Sequence, residues 1–298
     1  MVSAFVASIL LTAVLHVWSG YEAMLDIPTA LRGWWYGLCV LGVVNIVIWI
    51  KYGVLMWTRS PSLACTSLPW VQFMLSGGYV LGCAFRSFLP RTDVARFVLV
   101  DSWVSSVFVG RSVATIAELC FIVQWAVLLR AIIKRNGHVS LGYVVTRILI
   151  PLIVIAELCS WYAVITTSYA GNVFEESIWA LATMLVILSI VALRAALFEN
   201  YRFVFTAVIL FGAAYFLYLC TIDVPMYYAR WIAQGAFEGS YLSFKEGIVD
   251  AATRWTVSWN WDDWAWDIPW MSLYFSIGVW SSIILTHVSW YERERGKL

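Results

Sequence analysis

The chain has 298 residues, 62% of them hydrophobic and only 12% charged, with a net charge of +1. Soluble domains are about half apolar and about one-quarter charged, so the composition excludes an ordinary water-soluble fold. The near-zero charge gives a nucleic-acid partner no electrostatic support.

The hydropathy pattern predicts an all-α, polytopic transmembrane bundle, a single integral membrane domain over residues 1–298 with about eight spans. The first covers residues 3–19; its apolar stretch lacks a basic leading region and is expected to be a helix rather than a signal peptide. The next four are expected at 34–57, 69–85, 103–129 and 143–168, followed by 176–197, 203–222 and 269–290. The third is short and carries Gly77-Gly78; without it the count falls to seven. Two connections are longer than turns. Residues 86–102 mix Arg86, Arg91, Arg96, Asp93 and Asp101 with apolar residues, the pattern of a short interfacial helix. Residues 223–268 carry Trp255, Trp259, Trp261, Trp264 and Trp266, and are expected to form an interfacial helix near 244–255 followed by an aromatic cap on the bilayer.

Loop Lys and Arg set orientation. With eight spans, nine lie on the side of the termini and seven on the other, while Lys51, Arg111 and Arg147 fall within helices. Both termini are therefore expected in the cytoplasm, with 86–102 and 223–268 on the opposite side. The expected lipid contacts are extensive; partners beyond lipid would be further copies of the chain or other membrane subunits. No cofactor is indicated.

One pentapeptide occurs twice: Ile116-Ala117-Glu118-Leu119-Cys120 and Ile155-Ala156-Glu157-Leu158-Cys159. Each copy sets a carboxylate near the middle of an apolar span. A charge at that depth is costly and needs a partner. If Glu118 and Glu157 face one interior they could share a proton or hold a cation, with Arg111 as charge partner and Asn45 and Gln124 as polar ligands. Alternatively each glutamate simply fastens helices. The flanks of the two copies do not match, so no duplicated fold follows.

Two other sets are chemically suggestive. Arg86, Arg91, Arg96 and Arg230 could hold a lipid phosphate or an anionic solute, or could snorkel and pair with local acids. Asp262, Asp263 and Asp267, with Asn260, could bind a divalent metal, although the interleaved Trp fit an interfacial belt better. The three His (His16, His138 and His287) are not spaced for a haem. The six Cys form no CxxC pair. Phosphate-binding loops, G-x-S-x-G and H-E-x-x-H patterns are absent, and the last span has no central Lys for retinal.

The sequence thus favours an integral membrane protein that binds or conducts a small solute, proton or cation at a midplane polar site. A membrane-embedded enzyme acting on a lipid or isoprenoid, and a non-catalytic subunit of a larger assembly, are the alternatives.

Overall fold

In a computed structural model the described residues are 27–59, 67–136, 141–193 and 201–294. The span expected at 3–19, with His16, lies outside them, as does His138. The described chain is all-α apart from one two-residue strand pair. In chain order the helices are α1 (Thr29–Arg59), α2 (Leu68–Phe88), α3 (Val107–Asn136), α4 (Leu141–Thr166), α5 (Ala170–Ala192), α6 (Arg202–Tyr218), α7 (Val224–Ala233), α8 (Phe244–Thr253), α9 (Trp261–Trp264), α10 (Asp267–Leu273) and α11 (Val279–Glu294). Strands β1 (Phe97–Val98) and β2 (Thr256–Val257) pair in parallel.

Seven helical segments among the described residues are long and apolar enough to cross a membrane: Thr29–Arg59, Leu68–Phe88, Val107–Lys134, Gly142–Thr166, Ala170–Ala192, Arg202–Ala233 and Asp267–Tyr291. Several leave apolar stripes uncovered. On α1, Val40, Val43, Val47 and Val54 are exposed, as are Phe203, Leu210 and Phe211 on α6. Water would penalise such faces, whereas hydrocarbon does not.

Three of the differences from the sequence expectation bear on buried charge. Residues 89–102 form no helix. Their arginines are folded inward against acids instead of lying along one solvent-facing side. Helix α5 starts at Ala170, six residues before the expected 176, which carries Glu175 into the helix. The segment beginning at Arg202 does not stop at Ile222. It continues through a π turn, Leu219–Asp223, into α7. Pro225 has no N–H to offer the carbonyl four residues back, and a π turn is one way to absorb that loss without ending the helix. Asp223 is consequently buried rather than loop-exposed.

The chain divides into two compact units. The first comprises Met1–Phe121 and Ile248–His287, the second Ile122–Gly247 and Val288–Leu298.

In the first unit, α1, α2 and the 267–287 segment are stitched by polar side chains at otherwise apolar contacts, the usual device where lipid removes the hydrophobic drive. Ser282 donates to Ser76 at 3.0 Å, and Thr286 to the Gln72 carbonyl at 3.2 Å. A second π turn, Tyr274–Gly278, separates α10 from α11. Asn45 answers it, donating to the Phe275 carbonyl at 2.9 Å and accepting from Trp280 Nε1 at 3.0 Å. The core holds Trp35, Tyr79, Trp264 and Phe275, all fully buried.

The aromatic segment is built into this unit. Trp255 donates to Asp101 at 2.8 Å, Trp259 to the Leu99 carbonyl at 3.3 Å, and Trp264 to the Ser258 carbonyl at 3.0 Å. Trp261 and Trp266 remain exposed. With the β1–β2 pairing, these bonds tie residues 255–264 to the loop 89–102.

In the second unit, three residues join α4 to α5, making an antiparallel hairpin. Gly171 permits their closest approach: a Cβ there would overlap the Cys159 carbonyl and lie 2.6 Å from Ala163 N. Gln234 secures the turn, donating to Thr167 O at 3.0 Å and accepting from Tyr169 N at 3.1 Å.

A buried arginine cluster as the candidate functional site

The site lies in the first unit, where α2 ends and α3 begins. Between them, residues 91–98 fold into a tight loop. Arg91 and Val98 form an antiparallel bridge, Thr92 N donates to Phe97 O at 2.9 Å, and Phe97 N donates to Thr92 Oγ1 at 3.0 Å. The loop requires Arg96 to adopt φ 63°, a left-handed conformation that costs a non-glycine residue about 1 kcal/mol or more. Its interactions offset that cost. Nε and Nη2 grip Asp250 Oδ2 at 3.0 and 2.9 Å, and Nη1 donates to the Asp93 carbonyl at 2.8 Å. Arg254, one turn after Asp250 on α8, joins the same carboxylate.

This loop turns the Asp93 carboxylate inward, where three guanidiniums converge on it. Arg91 Nε lies 3.1 Å away, Arg111 Nη1 3.7 Å, and Arg86 Nη2 3.9 Å. Arg111, in the second turn of α3, also reaches Glu118 Oε2 through Nη2 at 3.3 Å. Arg86 stacks over Trp270, 5.0 Å from the ring centre. Among the described residues, the ion pairs of the cluster join three guanidiniums to two carboxylates.

Arg91 is the most confined member. It is 0% exposed, and its Nη1 and Nη2 have no hydrogen-bond partner among the described residues. Gly110 makes room for it, because a Cβ there would overlap the guanidinium. The N-terminus of α3 adds partial positive charge through the helix dipole. Burial pushes the Arg91 guanidinium down to about 9; Asp93 opposes this, and Arg86 and Arg111 reinforce it. Burial likewise pushes Asp93 up, but Arg91, Arg86, Arg111 and Arg96 outweigh it and hold the carboxyl below its ordinary 3.8. Below the arginines, Arg86, Glu118, Cys83 and Tyr274 line a cavity of about 10 Å³, the space of roughly one water molecule.

A pH dependence follows. Burial also pushes Asp250 up, and its bonds to Arg254 and Arg96 outweigh that and hold it below 3.8. Carboxyls depressed in the folded state supply stability that is complete above their unfolded value and is lost as pH falls through the folded one. The detergent-solubilised protein should therefore keep its melting temperature at pH values above the ordinary carboxyl value of 3.8 and lose it progressively as pH falls below that. Asp250→Asn should lower the midpoint at neutral pH and shrink the acid-dependent drop; an unchanged acid profile in that variant would refute the assignment.

The other sequence-selected residues have these positions. Arg230 belongs to the second unit, on α7, where it stacks on Tyr169 and Tyr227 at 5.5 and 5.8 Å. Asn45 is committed to the π turn of the 267–287 segment. Gln124 and Glu157 are buried in the second unit, on α3 and α4. Asp263 accepts from Ser258 and Asp267 from Trp270 at 3.1 Å. Asp262 lies in the short helix α9, where its N–H is capped by Asn260 at 3.3 Å. Among the described residues no group of three or more His, Cys, Asp or Glu is arranged to hold a metal.

The sequence marks Asp93 only as a local partner of the arginines and gives Asp250 no role. The available signal was the run Arg91-Thr92-Asp93 with Arg96, whose charges are too close together for an amphipathic helix face. Asp250 carried no such signal, because it meets Arg96 across 154 residues. Comparison with protein families, curated proteins and solved structures finds no match for this chain.

Proposed function

We propose that this chain is a multi-pass membrane protein that binds a small solute carrying a phosphate- or carboxylate-type anion at the Arg86–Arg91–Arg111 cluster. A helix over residues 3–19 would make eight spans, place both termini in the cytoplasm and set the cluster toward the opposite side. The observation that carries this reading is Arg91: a fully buried guanidinium whose two terminal nitrogens have no hydrogen-bond partner among the described residues, beside two further guanidiniums that converge on the same carboxylate. An unmatched buried charge costs several kcal/mol, and an anion is what relieves it. At an effective dielectric of 20, a unit anion ~4 Å from one guanidinium gains ~4 kcal/mol. Planar guanidiniums also match phosphate and carboxylate oxygens two at a time.

The charge balance speaks against a cation beside Glu118, which faces Arg111 at 3.3 Å with Arg86 on the same cavity wall. The lipid- or isoprenoid-processing alternative would use the same arginines for a phosphate. Its metal-binding half finds Asp263 and Asp267 engaged with Ser258 and Trp270 instead.

The test is binding by the purified full chain in detergent, titrated with inorganic phosphate, pyrophosphate and succinate, and in nanodiscs with and without phosphatidic acid. Saturable binding of at least one probe is expected, weakened tenfold or more by Arg91→Gln. Binding by none of them, or equal binding by the variant, would overturn the reading.

A further inference from the structure

We propose that Arg230 binds the phosphate of an anionic phospholipid in the headgroup layer, on a platform formed by Tyr169 and Tyr227 of the second unit. The inference needs the segment Arg202–Ala233 to span the bilayer. It does not depend on the arginine cluster of the first unit.

Helix α7 and its C-cap set Tyr227, Arg230 and Gln234 on one face, at positions i, i+3 and i+7. That face meets the turn between α4 and α5, where Gln234 holds the Thr167 carbonyl and the Tyr169 N–H. The rings of Tyr169 and Tyr227 stack, 6.0 Å apart and 29° from parallel. The Arg230 guanidinium lies against both rings, 5.5 and 5.8 Å from their centres. Contacts of this kind are attractive and orient the guanidinium without using its N–H groups. Among the described residues the half-buried Arg230 side chain makes no hydrogen bond and no ion pair. Its five donors, in a rigid plane that matches two phosphate oxygens at once, are therefore unspent on protein.

Depth decides which phosphate. Arg202 and Arg230 lie 28 residues apart on one helical segment. At ~1.5 Å per residue that is ~42 Å. The hydrocarbon core measures ~30 Å and the bilayer with its headgroups ~40–45 Å, so Arg230 falls in a headgroup layer. The chain around it is apolar and uncovered. Phe237 is 90% exposed and packs edge-on against Trp231 at 4.9 Å, while Tyr228 and Ile232 are also exposed. A free phosphate would satisfy the guanidinium and leave these side chains bare. A phospholipid meets both demands, its phosphate on Arg230 and its glycerol and upper acyl region on the rings. With no acid beside Arg230, a net-negative headgroup is favoured over a zwitterionic one.

The test uses the full chain in detergent. Dioctanoyl phosphatidylglycerol is titrated and the lipid-bound forms are resolved by native mass spectrometry, with dioctanoyl phosphatidylcholine and inorganic phosphate as comparison ligands. Phosphatidylglycerol should bind at least tenfold more tightly than phosphatidylcholine. Arg230→Gln should weaken that binding tenfold or more, and Arg230→Lys, which keeps the charge but loses the planar fork, threefold or more. Both variants should melt like the native chain without lipid, which separates lost binding from lost folding. Phosphatidylglycerol binding that Arg230→Gln leaves unchanged would overturn the proposal. So would equal binding of phosphatidylcholine, or full displacement of the lipid by an equal concentration of inorganic phosphate, the mark of a free-anion site. Arg91→Gln should leave this binding intact, and Arg230→Gln should leave pyrophosphate and succinate binding at the arginine cluster intact, so the two readings fail separately.

Discussion

Asp93→Asn should be among the most damaging single substitutions in this protein, costing about 3–5 kcal/mol, the range for removing one partner of a buried ion pair. Three guanidiniums lie within 4 Å of that carboxylate, and two of them, Arg86 and Arg91, pair with no other acid among the described residues. Asparagine keeps the shape but removes the charge, and its amide N–H groups would point donors at donors. Since a whole fold is stable by only about 5–15 kcal/mol, the variant should melt far below the native chain or accumulate poorly. The double variant Asp93→Asn, Arg91→Gln removes a cation with the anion and should recover part of the loss. The measurement is the unfolding midpoint by tryptophan fluorescence in detergent, arranged as a double-mutant cycle. A single variant that melts like the native chain, or two losses that simply add, would show that the cluster is not coupled through Asp93.

Trp264→Ala should cost a comparable amount, about 3–5 kcal/mol. The side chain is 0% exposed, lies 6.2 Å from the Trp34 ring, and donates its indole N–H to the Ser258 carbonyl. Alanine would leave a cavity and an unmatched carbonyl in the core of the first unit. Trp264→Phe should recover much of the packing and lose about 1 kcal/mol for the hydrogen bond. Trp266, only two residues on but 58% exposed, is the control, and Trp266→Ala should change stability by less than about 0.5 kcal/mol in detergent. Equal effects at 264 and 266 would mean that the aromatic segment is a surface belt throughout, as its sequence first suggests.

Much of the helical architecture could be read from the sequence because a membrane span is a one-dimensional property. It needs about 20 consecutive apolar residues, and each of the seven long apolar helices overlaps a stretch identifiable from hydropathy alone. The helix at 244–253 announces itself similarly, through its polar–apolar period and bounding loop residues. Glu118 and Arg111 could be read together for the same reason: seven residues apart on one helix, they fall on nearly one face.

The rest depended on contacts distant in sequence. No local pattern shows that Asp250 on α8 clamps Arg96, or that Trp255 and Trp259 hold the loop that aims Asp93 inward. Arg91 reads as an ordinary interfacial arginine until its loop closes and buries it against Gly110. Glu175 reads as a loop acid, because charge at the edge of an apolar run normally marks its end. It is buried instead, because α5 starts at Ala170 and carries it into the helix. Hydropathy fixed which segments leave water. Which charges leave water with them was decided by tertiary packing, because the desolvation cost of a buried arginine or glutamate can be met only by groups that folding brings from elsewhere in the chain.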